Sequence, residues 1–218
     1  MLLLALDTAT PAVTAALHDG GSVAAESSRV DARRHGELLL PAVDEVLKQS
    51  GRTLADVTGL VVGVGPGPYT GLRVGLVTAT TFASALGGVP VHGLCTLDGL
   101  AYASGLTEPF VVATDARRKE VYWARYDDFR TRVSEPSVDR PADIAEQVAG
   151  LPVVGAGALL YPEAFPDARG PEHQSAAALA ARAAEVLAAG GEFLDPRPLY
   201  LRRPDAQVPK NYKVVTPR

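Results

Sequence analysis

The sequence predicts an α/β protein of two lobes, on three observations. A Val-rich run, a glycine–proline turn and a long apolar segment follow one another over residues 59–88, the order of a buried strand, a tight turn and a helix. Two short runs end in aspartate and lead into hairpins, Leu4-Ala5-Leu6-Asp7-Thr8 near the start and Val112-Ala113-Thr114-Asp115-Ala116 past the middle. Their echo points to a duplicated unit. The chain has 218 residues, 47% hydrophobic and 21% charged, which is an ordinary composition able to bury a large core.

Residues 2–6 read as a continuous apolar strand, broken by Asp7-Thr8-Ala9-Thr10-Pro11. No cationic segment precedes this run, so it is a strand and not a signal peptide. Strand character resumes over 13–18, and Asp19-Gly20-Gly21 turns the chain into a third strand over 22–27. Over 33–48, Leu39, Val43, Val46 and Leu47 share one helical face, and Pro41 removes one backbone donor. Gly51 and residues 53–56 lead to the central strand, 60–64. Gly65-Pro66-Gly67-Pro68 stops that strand, because Pro fixes φ and Gly admits positive φ. A helix follows over 72–86, with Thr70 as N-cap and Gly87-Gly88 and Pro90 closing it.

After Pro90 come a strand at 91–94 and a short helix at 97–104 capped by Thr96. The polar stretch 104–109 marks the boundary between a lobe of residues 1–104 and a smaller one of 105–218. Strands at 110–114 and 121–126 flank a hairpin carrying Arg117, Arg118 and Lys119, whose cations solvate the tip or touch RNA or an acidic partner. A short helix at 141–148, a strand at 152–154 and an alanine-rich helix at 175–189 complete the body. Residues 196–218 read as an extended tail, docked through Leu199-Tyr200-Leu201 and mobile at its end.

No apolar run reaches about 20 residues, so no membrane-spanning helix is expected. Cys95 is the only cysteine, which excludes an internal disulfide, fits a reducing compartment and suits a small buried hydrophobe. A net charge of −4 weighs against nucleic-acid binding by the chain as a whole. The strand, glycine turn and helix start have two readings: an anion site built on helix amides, or a tight connection that binds nothing. No Lys follows the glycines, so this is not a Walker loop. Asp7, at its strand end, sits beside a bound cation or phosphate, or caps its own turn. Gly71, Gly75, Ala79 and Ala83 line one helix face, where the parent sheet or another chain comes close. His35 has no second His or Cys one turn away and suits a cap or an interface better than a metal site.

These residues resemble the bacterial TsaB (YeaZ) family, a subunit of the machinery that makes threonylcarbamoyladenosine in tRNA. The likeness rests on Leu6-Asp7-Thr8-Ala9, on the run Arg34-His35-Gly36-Glu37-Leu38-Leu39-Leu40-Pro41, and on the glycine turn from Gly63 through Thr70-Gly71-Leu72-Arg73 to Gly75. Asp115-Ala116-Arg117 with Glu120-Val121-Tyr122, and Pro198-Leu199-Tyr200-Leu201-Arg202, extend it over nearly the whole chain. The resemblance implies a two-lobed actin-like ATPase (ribonuclease H-like) fold, with mixed sheets flanked by helices and a reduced second lobe. It implies a cytoplasmic subunit that is not itself the catalyst and binds the metal- and ATP-dependent relative TsaD and the ATPase TsaE, with tRNA (position 37, ANN-decoding) reached through the complex. Thr96 and Leu100 stand where that relative carries its histidine ligands, so the resemblance implies no metal and no cofactor of its own.

A vestigial phosphate site with weak ATP or ADP binding would fall on Asp7, Thr8, Gly65, Gly67, Thr70 and Gly71. The partner would sit on the two helices at about 35–49 and 70–86, through His35, Leu39, Val43, Val46, Leu72, Val74 and Leu76, which self-associate into a homodimer when the chain is alone. The competing class is an ATP-dependent kinase or a metallopeptidase of the same superfamily, with Asp7, Asp115 and the glycine turn holding Mg-ATP. The short second lobe weighs against it, with no second full strand–helix–strand set to clamp adenine.

Overall fold

A computed structural model describes residues 1–202, and the expected tail beyond Arg202 lies outside the described residues. Strands β1 (Leu3–Asp7), β2 (Ala12–His18) and β3 (Val23–Val30) form the expected antiparallel meander. Helix α1 (His35–Gln49) leads to β4 (Gly59–Gly63), which pairs parallel to β1. Helix α2 (Tyr69–Ala85) then leads to β5 (Val91–Leu94), parallel to β4. The first sheet therefore runs β3-β2-β1-β4-β5. Helix α3 (Thr96–Ser104) leaves it for the second lobe, stopped by Gly105 in the left-handed region.

In the second lobe β6 (Phe110–Asp115) and β7 (Val121–Asp128) make an antiparallel hairpin. The far edge of β7 carries two short strands, β8 (Thr131–Arg132) and β9 (Ser137–Asp139). After α4 (Pro141–Ile144), β10 (Val153–Val154) pairs parallel to β6, and after α5 (Ala156–Leu160), β11 (Ala168–Arg169) pairs parallel to β10. Taking β8 and β9 as one edge, the second sheet repeats the order of the first, with strands cut to two or three residues at its margins. This is the ribonuclease H-like order of an actin-like ATPase, present twice, the second copy reduced. The expected duplication is thus a feature of the topology.

The apolar faces explain the layering. Leu39, Ala42, Val43 and Val46 of α1 join Leu76, Ala79 and Ala83 of α2 over one face of the first sheet. The opposite face, with Leu3, Ala5, Ala16 and Val61, is covered by Ala176, Leu179, Ala180 and Ala183 of α6 (Ala176–Ala188). Ser175 caps α6, accepting from the Ala177 and Ala178 amides. In turn Leu97, Leu100 and Ala101 of α3 pack on Phe110, Val112, Ala124 and Tyr126 of the second sheet. So α3 serves the second sheet and α6 the first, and they meet where a Cβ on Gly99 would overlap Leu179. The segment after α6 straps the lobes together. Leu194 exchanges backbone hydrogen bonds with Gly93, the Leu199 amide donates to the Val64 carbonyl, and Arg202 donates to the Ala116 carbonyl and pairs with Glu120.

Two expected caps are not caps. Pro68, in an extended conformation, precedes α2, and Thr70 lies inside its first turn. Thr96 is the first residue of α3, and its hydroxyl turns away from the helix to Asp7. The contact that seats α2 comes instead from Thr8. Its hydroxyl donates to the Gly71 carbonyl at 2.7 Å and accepts from the Gly75 amide at 2.9 Å, so it stands in the helix's own ladder.

That contact predicts opposite outcomes for two helical glycines. A Cβ on Gly75 would overlap Thr8 Oγ1, whereas nothing lies within 4 Å of a Cβ on Gly36. Gly75→Ala should lose about 2 kcal/mol in urea titration, two hydrogen bonds and overpacking outweighing the gain in helix propensity. Gly36→Ala should be neutral or gain up to about 1 kcal/mol.

Candidate functional site

The glycine turn is a socket for the chain's own β1–β2 turn. Asp7 is fully buried, and its carboxylate accepts from the Ala9 amide at 2.7 Å and from the Thr96 hydroxyl at 2.8 Å. A Cβ on Gly63 would overlap that carboxylate, one on Gly67 the Ala9 carbonyl, and one on Gly71 the Thr8 carbonyl. Gly65, at φ 101°, presses against Leu72, and its carbonyl accepts from the Thr96 amide at 2.8 Å. Of the six residues expected at a phosphate site, Thr70 and Gly71 border the cavity between the lobes, and Gly67 borders its neighbour. Asp7 and Thr8 are sealed inside, and the Ala9 backbone lies against Gly67.

The cavity between the lobes holds about 420 Å³ and is lined by Thr10, Arg33, His35, Thr70, Asp115 and Arg117 among others. The ring of His35 lies 2.8 Å from the Thr10 carbonyl through Nε2. A carbonyl only accepts, so Nε2 carries the proton and faces away from any metal role. Asp115 occupies in the second lobe the place Asp7 has in the first, but it reaches the cavity. Its carboxylate accepts from the Arg117 amide at 2.7 Å and pairs with the Arg117 guanidinium at 3.2 Å. Behind it, a pocket of about 160 Å³ holds Thr114 and His173, whose Oγ1 and Nδ1 are buried without a partner. Among the described residues no group of three or more His, Cys, Asp and Glu could hold a metal ion.

The two positions that the resemblance sets at the relative's metal ligands are used internally. Thr96 bonds Asp7 and Gly65, and Leu100 is wholly buried in the second lobe's core.

The expected partner residues divide. Leu39, Val43, Val46, Leu72 and Leu76 are at most 5% exposed, inside the chain's own core, so their side chains are not available to a partner. They carry the strongest apolar period because the parent sheet needs them. His35 is half-buried on Thr10, and Val74 is half-buried at the cavity between the lobes. The outer side of the α1–α2 layer instead presents Leu40 and Val77, 54% and 60% exposed, and nothing in the period of either helix distinguished them.

Burial pushes the Asp7 carboxyl up to about 6, against the Ala9 amide and the Thr96 hydroxyl, which pull it down. The folded chain thus holds this proton more tightly than the unfolded chain, whose Asp titrates near 3.9. The stability that Asp7 contributes is complete below that value and is lost as pH rises through about 6. Asp7→Asn should therefore melt above the wild type at pH 8, by on the order of 3 kcal/mol at most, with the gap shrinking toward pH 5 in calorimetric scans. A gap independent of pH would show that Asp7 is not the titrating group.

Comparison with known proteins places this geometry. The family model described as TsaD, tRNA N6-adenosine threonylcarbamoyltransferase, matches residues 23–156. An uncharacterized protein of Mycobacterium tuberculosis is 43% identical over 212 residues, covering 94% of this chain and 93% of that one. The tRNA threonylcarbamoyladenosine biosynthesis protein TsaB of Escherichia coli is 40% identical over 131 residues, 58% of this chain and 55% of that one. The solved structure of YeaZ from Pseudomonas aeruginosa superimposes with a TM-score of 0.77 at 30% identity, over 92% of this chain and 99% of that chain. Sequence and fold agree across nearly the full length, and the chain belongs to the TsaB/YeaZ family.

Proposed function

We propose that this chain is a non-catalytic scaffold and activator in the synthesis of threonylcarbamoyladenosine in ANN-decoding tRNA. Its place is the cytoplasm, on the catalytic relative TsaD, with the ATPase TsaE joining the pair. The observation that carries the reading is the likeness to TsaB, and Thr96 and Leu100, which the resemblance sets at the relative's ligand positions, are both committed to the chain's own packing. Metal and ATP then belong to the partner. Asp7, which a kinase would need at its phosphates, is sealed under Gly63.

The docking surface in this reading is the outer side of α1 and α2, where Leu40 and Val77 stand on a layer whose inner side is fully used. Alone, the same surface serves a homodimer that exchanges for the heterodimer.

Mixing the chain with TsaD from the same cell should give a heterodimer on size-exclusion chromatography at micromolar concentration. The mixture with TsaE, tRNA and the threonylcarbamoyl donor should form the modified nucleoside, read by mass spectrometry. Leu40→Asp or Val77→Asp should weaken the heterodimer at least tenfold, with the melting temperature within a few degrees of wild type. Leu39→Ala should instead lower stability by about 2–5 kcal/mol. Two folded proteins that fail to associate would sink the reading.

A further inference from the structure

The pocket of about 160 Å³ behind Asp115 is walled by three parts of the chain. Thr10 and Pro11 come from the turn after β1, Thr114 and Leu160 from the second lobe, and Glu172 and His173 from the segment leading into α6. Gln174 fixes that segment to the first lobe. It is 2% exposed, its Oε1 accepts from the Thr10 hydroxyl, and its Nε2 donates to the Ala12 carbonyl at 2.8 Å. Both lobes therefore share this small enclosure. Thr114 Oγ1 and His173 Nδ1 are buried and find no partner among the described residues, and Thr114 as a whole is only 4% exposed. A polar atom left buried and unsatisfied is costly, and two in one pocket call for something to bind them.

Both atoms suit a hydrogen-bond donor. The Glu172 carboxylate lies 3.6 Å from His173 Nε2, so in the neutral ring the proton belongs on that nitrogen and Nδ1 is a bare acceptor. The Thr114 hydroxyl accepts as well as donates. Asp115 is already paired with Arg117 and adds no free charge, and no Lys or Arg lines the pocket. A metal ion fits poorly. Hard cations take oxygen and not imidazole nitrogen, and among the described residues no three His, Cys, Asp and Glu converge on a softer one. An ammonium group brings three donors and a charge that Glu172 favours. At about 30 Å³ per water, the pocket takes about five non-hydrogen atoms, far fewer than a nucleotide. Pro11 and Leu160 offer an alkyl stem an apolar wall, whereas a ligand carboxylate would meet Glu172 and Asp115.

We propose that this pocket binds a small primary amine in its ammonium form, which donates to His173 Nδ1 and Thr114 Oγ1 and rests its short alkyl stem on Pro11 and Leu160. Held there, the amine touches residues of both lobes and stiffens the join between them. The inference needs neither TsaD nor tRNA, so it stands or falls apart from the scaffold reading.

The test is nitrogen NMR of the full chain carrying isotope-labelled histidine, the His173 signals being those lost in His173→Gln. Propylamine and ethanolamine should each move the Nδ1 signal to a saturating end point, with a Kd on the order of 1 mM, within what about five atoms can supply. Each should also raise the melting temperature in proportion to its occupancy. Potassium chloride at equal ionic strength and propionate should do neither. Thr114→Val should melt at or above the wild type without ligand, because an unpartnered hydroxyl is gone, and should bind propylamine about tenfold more weakly. No saturable movement with either amine overturns the proposal and assigns both atoms to water. An equal response to potassium chloride or propionate overturns it as well, by marking a general salt effect. So does an unchanged propylamine affinity in a Thr114→Val chain that melts as expected.

Discussion

Four glycines spaced four residues apart receive three consecutive residues of the first turn, and the first lobe is assembled on that fit. Gly63 faces the Asp7 carboxylate, Gly67 the Ala9 carbonyl, Gly71 the Thr8 carbonyl and Gly75 the Thr8 hydroxyl. Each glycine costs roughly 0.5–1 kcal/mol of backbone entropy in a strand or helix. The Thr8 and Asp7 hydrogen bonds, at about 1 kcal/mol each, offset that cost and leave their buried polar groups satisfied. The arrangement joins β1, β4, α2 and, through Thr96, the start of α3. Substituting any one partner therefore disturbs elements far apart in sequence.

The second lobe repeats the device in reduced form. After β10, Gly155 and Gly157 stand where a Cβ would overlap the Ala113 carbonyl, so the end of β6 is again received by glycines following its parallel neighbour. The difference lies at the aspartates. Asp7 is locked beneath a strand, whereas Asp115 remains at the cleft and is answered by Arg117. Duplicated backbones have thus diverged in side-chain exposure, with Asp115 at the cleft and the buried, unpartnered Thr114 and His173 atoms in a small pocket behind it.

Much of this was legible in the sequence where local rules decide. The meander, the central strand, α2, α6 and the duplication follow from apolar runs and from Gly and Pro punctuation. The strand expected at 152–154 is β10, whereas β8, β9, β11 and the helix α5 are too short to carry a period, and only pairing to β7 and β10 defines those strands. The caps expected at Thr70 and Thr96 fail for different reasons, since α2 already begins at Tyr69, whereas the Thr96 hydroxyl has another partner. A hydroxyl near a helix start satisfies a local amide in the absence of a better partner, and here the buried Asp7 carboxylate claimed Thr96. The glycine turn was ambiguous because a loop that cradles a phosphate and one that cradles a carbonyl need the same residues. The exchange of α3 and α6 between lobes had no local signal, since periodicity shows that a helix has an apolar face and not which sheet receives it.

The same limit governs the partner surface, and here dimensions help. At 1.5 Å per residue, α1 and α2, with 15 and 17 residues, are about 22 and 25 Å long. Lying side by side they present a strip about 20 Å wide, or on the order of 500 Å². A specific interface covers about 800 Å² on each partner. Leu40 and Val77 would anchor such a contact, but a partner seated on this layer must also extend beyond it.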